Sequence, residues 1–76
     1  MNTNNTQINI TEPLRQAILT GMQKLAKTQD ESISVGEEGM VLVKKGSLAE
    51  TDRKNTATYL GDFADTNGDK YVLYAA

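Results

Sequence analysis

A chain of 76 residues with no cysteine and no histidine has room for one small domain, held by neither disulfides nor a thiolate or imidazole metal site. The same inventory removes the Ser–His and Cys–His pairs of nucleophilic catalysis. A net charge of −2 and a pI near 4.9, with eight scattered basic residues, argue against nucleic-acid binding, which needs clustered Lys and Arg.

No apolar run reaches the roughly 20 residues of a membrane span. The start Met1-Asn2-Thr3-Asn4-Asn5-Thr6 lacks the basic head and apolar middle of a secretory signal. Cytoplasmic residence is therefore expected, and the glycosylation tripeptides at Asn4 and Asn9 read as chance. A domain of this size buries only about 60% of the surface its unfolded chain exposes. With disulfides and zinc closed off, association with another copy is the expected reinforcement.

In chain order, residues 1–6 read as a disordered tail and residues 7–76 as a single domain. Gln7-Ile8-Asn9-Ile10-Thr11 alternates apolar and polar, as a short edge strand or an extended lead-in does. From Thr11 to Lys27 the apolar residues Leu14, Ala17, Ile18, Met22, Leu25 and Ala26 recur at helical spacing. Arg15, Gln16, Thr20, Gln23, Lys24 and Lys27 fall mostly on the opposite side. Thr11 supplies a cap, Glu12 suits the positive end of the dipole, and Pro13 is tolerated in the first turn. Ile10, just before the cap, is placed to staple onto the stem of Arg15 or onto Leu14. Gly21 sits inside the apolar row at a cost of about 0.8–1 kcal/mol against Ala, which marks it as a packing notch.

Ser32-Ile33-Ser34-Val35 alternates again and predicts a strand with Ile33 and Val35 inward. Gly36-Glu37-Glu38-Gly39 is a loop of hairpin length. Met40-Val41-Leu42-Val43, leading into Lys44-Lys45, is a continuous apolar run, which implies a central strand or one under a subunit interface. Ser47 and Glu50 form a capping box and predict a short helix over Leu48–Lys54 with Leu48 tucked inward.

Asn67-Gly68 between apolar flanks predicts a final hairpin closed by a two-residue type I′ turn. That register pairs Asp65 with Lys70, Ala64 with Tyr71, Phe63 with Val72, Asp62 with Leu73 and Gly61 with Tyr74. It puts Tyr59, Phe63, Val72 and Tyr74 on the face toward the long helix, with Tyr74 lying across Gly61. The other face carries Thr58, Leu60, Asp62, Tyr71 and Leu73. Of these Leu60, Asp62, Tyr71 and Leu73 form a patch of the kind partners bury.

Other chemistry is thin. Asp65-Thr66-Asn67-Gly68-Asp69 resembles the opening of an EF-hand or dockerin calcium loop over five residues. It then departs, with Lys70 where the loop wants glycine and Ala76 where it wants its final carboxylate. Asp30-Glu31, Glu37-Glu38 and Glu50 with Asp52 lie in turns and exposed helix positions, where carboxylates are solvated rather than catalytic. Lys44-Lys45 and Arg53-Lys54 would meet where strand and short helix join, beside a helix N-terminus at Ser47.

The sequence therefore predicts an α+β fold, one long helix on an antiparallel sheet of four or five strands with a short second helix. In size and acidity it resembles small phage and mobile-element accessory proteins. The function expected is a non-enzymatic interaction module without cofactor. It would self-associate and act as an inhibitor or adaptor on a larger protein, with the acidic turns around Glu37 and Glu50 available for charge mimicry. A small-ligand or calcium module using Asp65–Asp69 is the alternative.

Overall fold

The computed structural model describes residues 11–36 and 39–75. The predicted tail over residues 1–6, all but Thr11 of the predicted strand or lead-in over residues 7–11, the Ile10 staple and the Glu37-Glu38 turn lie outside the described residues.

The elements are α1 (Glu12–Ala26), β1 (Ser32–Val35), β2 (Met40–Lys44), α2 (Leu48–Thr56), β3 (Thr58–Ala64) and β4 (Lys70–Ala75). The strands form one antiparallel sheet in the order β1-β2-β4-β3. This is the α+β arrangement expected, with four strands among the described residues and α1 packed on the sheet. Thr11 caps α1 through its side-chain oxygen, which accepts from Leu14 N at a long 3.4 Å.

The two helices cover opposite faces of the sheet. Under α1, Ile18, Met22 and Leu25 meet Val35, Leu42, Tyr71 and Leu73, all buried, with Leu14, Ala17, Ile33, Met40, Leu60 and Phe63 packed at the margin. On the other face Val41, Val43, Val72 and Tyr74 are buried beneath Ala49 of α2 and Ala57. The apolar run of β2 is explained by this double cover: β2 and β4 are the central strands, closed on both sides. Each fully buried aliphatic side chain there is worth about 1.5–3 kcal/mol of transfer free energy.

Three expectations need correction. The first is the final hairpin, which is one residue out of the predicted register. Phe63 pairs with Tyr71, Ala64 with Lys70, Asp62 with Val72 and Gly61 with Leu73. The loop has Thr66, Asn67 and Gly68 at its tip, because Asp65 N donates to Asp69 O at 3.0 Å and Gly68 N to Asp65 O at 3.1 Å. A type I′ turn needs positive φ at both central residues. Only Gly68 has it (φ 90°), and no described non-glycine residue does. Asn67 is held instead by Asp65, whose Oδ1 accepts from Asn67 N (2.9 Å) and Asp69 N (3.0 Å). A three-residue loop ending on a left-handed glycine results.

Because side chains alternate across a strand, that single step exchanges the faces of β4. Tyr71 and Leu73 turn under α1, whereas Val72 and Tyr74 turn toward α2. Phe63 is on the α1 side as expected, and Leu60 joins it, because a bulge between Tyr59 and Gly61 shifts the pairing by one further residue and so exchanges the faces of the strand beyond it. Tyr59 then pairs with Tyr74 on the α2 face, edge to face, with ring centroids 6.1 Å apart. Tyr74 does not lie across Gly61; the nearest side chain to that glycine is Phe63.

The second correction is α2, which runs two residues past the predicted end. Leu48 points to solvent, 78% exposed, and Ala49 packs on the sheet. Ser47 caps the helix through Glu50 N (3.1 Å), while Ala49 N donates to Glu31 Oε1 (3.1 Å) and holds that turn against the start of β1. Leu48 is thereby left on the outward side. The third concerns the capping box, whose return bond goes from Gly46 N to Glu50 Oε1 (2.7 Å), one residue before the cap.

Candidate functional site: the groove between α1 and β3

α1 lies over the β1–β2 half of the sheet, held there by Gly21, which leaves no space for a side chain against Val35. The β3 side of the same face is left partly open. A groove of about 330 Å³ runs between the helix and the edge strand, lined by Arg15, Ile18, Leu19, Met22, Phe63 and Ala64. It continues past Gln23 and Ala26 to Lys27 and the Asp65–Asn67 turn. Leu19, 40% exposed, faces half-buried Phe63 across it. Its floor is apolar and its ends carry Arg15 and Lys27, so it suits an apolar anchor flanked by polar contacts more than a small polar substrate.

The four residues expected to form a patch are not brought together. Tyr71 (1% exposed) and Leu73 (0%) are core residues, inaccessible to a partner unless the chain unfolds. Asp62 is exposed on the α2 face opposite Val72. Leu60 alone is on the open side, packed at the margin of the α1 core. Leu19 was the missed residue. Its signal was present: it follows Ile18 on the rim of the apolar stripe, in the row of Arg15, Met22 and Gln23, and widens that stripe beyond what one sheet edge covers.

The remaining candidates are occupied by the protein's own groups. In the Asp65–Asp69 turn, one carboxylate oxygen of Asp65 holds two backbone amides, and the other lies 3.4 Å from the Tyr71 hydroxyl. Among the described residues no group of three or more acidic side chains converges as a metal site would require. At the N-terminus of α2 the carboxylates of Glu31 and Glu50 already accept backbone N–H groups, which opposes an incoming phosphate. The basic pairs do not meet there. Lys44 and Lys45 gather with Lys70 and Asp69 around a shallow depression, Lys44 Nζ donating to Thr28 O at 2.9 Å, while Arg53 and Lys54 lie in the last turn of α2.

Three tyrosines titrate above their ordinary value. Burial raises Tyr71, reinforced by the nearby charges of Asp65 and Asp69. Tyr74 is raised by burial and then by Glu50 and Asp62, and Tyr59 by desolvation and then by Asp62. All three shifts favour the neutral phenol. None of these groups is poised as an acid or base near neutral pH.

Among the described residues no helix is long and apolar enough to cross a membrane. Comparisons with protein-family models, curated proteins and solved structures gave no significant match.

Proposed function

We propose that the protein is a non-enzymatic interaction module that self-associates and acts as an inhibitor or adaptor on a larger protein partner. One observation carries this reading: exposed Leu19 faces half-buried Phe63 across a groove that the other described residues leave uncovered. A small domain gains stability by closing such a face against a partner. The non-enzymatic part rests on the residue inventory, which supplies neither histidine nor cysteine, and a cytoplasmic location is proposed with it.

Association runs through side chains in the groove, with Phe63 and Ala64 on one wall and Leu19 on the other. Strand-to-strand pairing at β3 is opposed by its bulge and by Asp62, both devices that protect a sheet edge. Sedimentation equilibrium on the full chain and on Leu19→Asp tests the proposal. The expected result is a concentration-dependent dimer that Leu19→Asp converts to a folded monomer. A wild-type chain that stays monomeric at millimolar concentration overturns it, as does an assembly indifferent to Leu19→Asp.

A further inference from the structure

The outer side of α1 carries a row of its own. At about 100° per residue, Glu12, Leu19 and Ala26 fall within about 20° of one line along the helix, and Arg15 and Gln23 stand within about 40° of it on either side. All five are exposed. The row borders the groove, because Arg15 and Leu19 belong to its helix wall and Gln23 and Ala26 line its continuation.

This row is centred on its one large apolar residue. Leu19 is the middle residue of α1, seven positions from Glu12 and seven from Ala26. Arg15 and Gln23, four positions to either side, give it polar shoulders, which is the anatomy of a contact surface. A closed pair of identical chains needs a patch that matches itself under a half-turn. Turning the row end over end about Leu19 lays Leu19 on Leu19 and Glu12 on Ala26, along the whole of a helix about 22 Å long.

Charge selects the same arrangement. Glu12 occupies the first turn of α1 and Lys27 its C-cap, each at the end whose dipole it suits. Gln16 Nε2 donates to Glu12 Oε2 at 3.2 Å and so draws the carboxylate to the side of the helix away from β3, the side on which Lys27 also stands. A half-turn brings these two charges together between copies, with Ala26 too small to hold them apart, and sets the helix dipoles in opposite directions. Helices laid side by side in the same direction would instead oppose Glu12 to Glu12 and Lys27 to Lys27.

We infer, resting on the self-association proposed above, that the occupant of this face is a second copy of the chain, its α1 antiparallel to the first. Leu19 of each copy lies at the two-fold axis, and Glu12 of each lies beside Lys27 of the other. The two grooves then open onto one another, which takes Leu19 and Phe63 of both copies out of water.

Cysteine cross-linking and charge exchange on the full chain test the arrangement. In the otherwise cysteine-free chain, Leu19→Cys should oxidise to a disulfide-linked dimer at micromolar concentration, whereas Ala26→Cys, far from the axis, should stay unlinked. By sedimentation, Glu12→Lys and Lys27→Glu should each weaken association about threefold to tenfold, and the chain carrying both should return to within about twofold of wild type. All four positions are exposed, where substitutions leave the fold intact. A wild-type chain that does not associate overturns the self-association itself. A wild-type dimer in which Leu19→Cys stays unlinked, Ala26→Cys links to itself, or the double charge variant is no tighter than the single ones overturns this arrangement alone.

Discussion

Gly21 of α1 and Val35 of β1 meet with no room between them: a Cβ on Gly21 would stand 2.9 Å from Val35 Cγ1 and 3.4 Å from Ile33 Cγ2 and Leu42 Cδ2. Gly21→Ala gains about 0.8–1 kcal/mol of helix propensity but forces a methyl against three side chains anchored in strands. Overpacking of that kind costs about 1–3 kcal/mol. The expected net effect is a loss of about 1 kcal/mol, read as a lower urea midpoint. A raised midpoint would show that the helix slides freely on the sheet.

The final turn distinguishes two residues that the sequence makes look alike in importance. Asp65→Ala removes the acceptor of two backbone amides and should cost about 1–2 kcal/mol, as loss of a comparable helix cap does. Asn67→Ala should cost less than about 0.5 kcal/mol, because Asn67 has ordinary negative φ and an exposed side chain. Denaturation midpoints of the two variants would have the reverse order if the turn were the two-residue kind.

Leu73→Lys places an ammonium group in the layer under α1, where Leu73 has no exposed surface. A buried unpaired charge costs more than about 4 kcal/mol, against a total stability of about 4–11 kcal/mol for a chain of this length. Circular dichroism should show a largely unfolded chain. A folded Leu73→Lys monomer would return Leu73 to the surface and reinstate the predicted register.

Alkaline pH should unfold the protein. Unfolded tyrosine loses its proton near pH 10, whereas burial raises Tyr71 and Tyr74 in the native state. Between the two values the folded chain holds more protons, so stability is complete below about pH 10 and falls as pH rises through the native values. Denaturant titrations at about pH 8 and about pH 11 should show the drop, smaller in Tyr71→Phe and Tyr74→Phe than in wild type. Equal drops in all three would remove the phenols as the cause.

Most of the architecture was legible because it is written in period and punctuation. Thr11 and Pro13 start α1, and the unbroken Met40–Val43 run places β2 in the centre. What failed was the hairpin count. Whether Asn67-Gly68 forms a two- or three-residue loop depends on one dihedral at Asn67, and the Asp65 carboxylate decides it by holding the Asn67 and Asp69 amides. That one step exchanged Tyr71 and Leu73 for Val72 and Tyr74. The expected contact surface fell with it, since two of its members became core. Leu48 failed for a related reason, since helix phase at a first turn is set by the tether from Glu31 and not by hydrophobicity. The groove was legible only in part: Leu19 on the rim of the α1 stripe marks its helix wall, but the gap itself comes from the sideways placement of α1 on the sheet, which neither element's own pattern sets.

β4, the last described strand in sequence, is inserted between β2 and β3. During synthesis the earlier strands therefore leave the ribosome without the one that joins them. Until Lys70–Ala75 follows, β2 and β3 each expose a long unpaired flank, and the apolar faces of both lack half their neighbours. Such a nascent chain is prone to stick to its siblings. Closure must then wait for contacts between residues about thirty positions apart, such as Leu42 with Leu73, which makes the final step slow for so short a polypeptide.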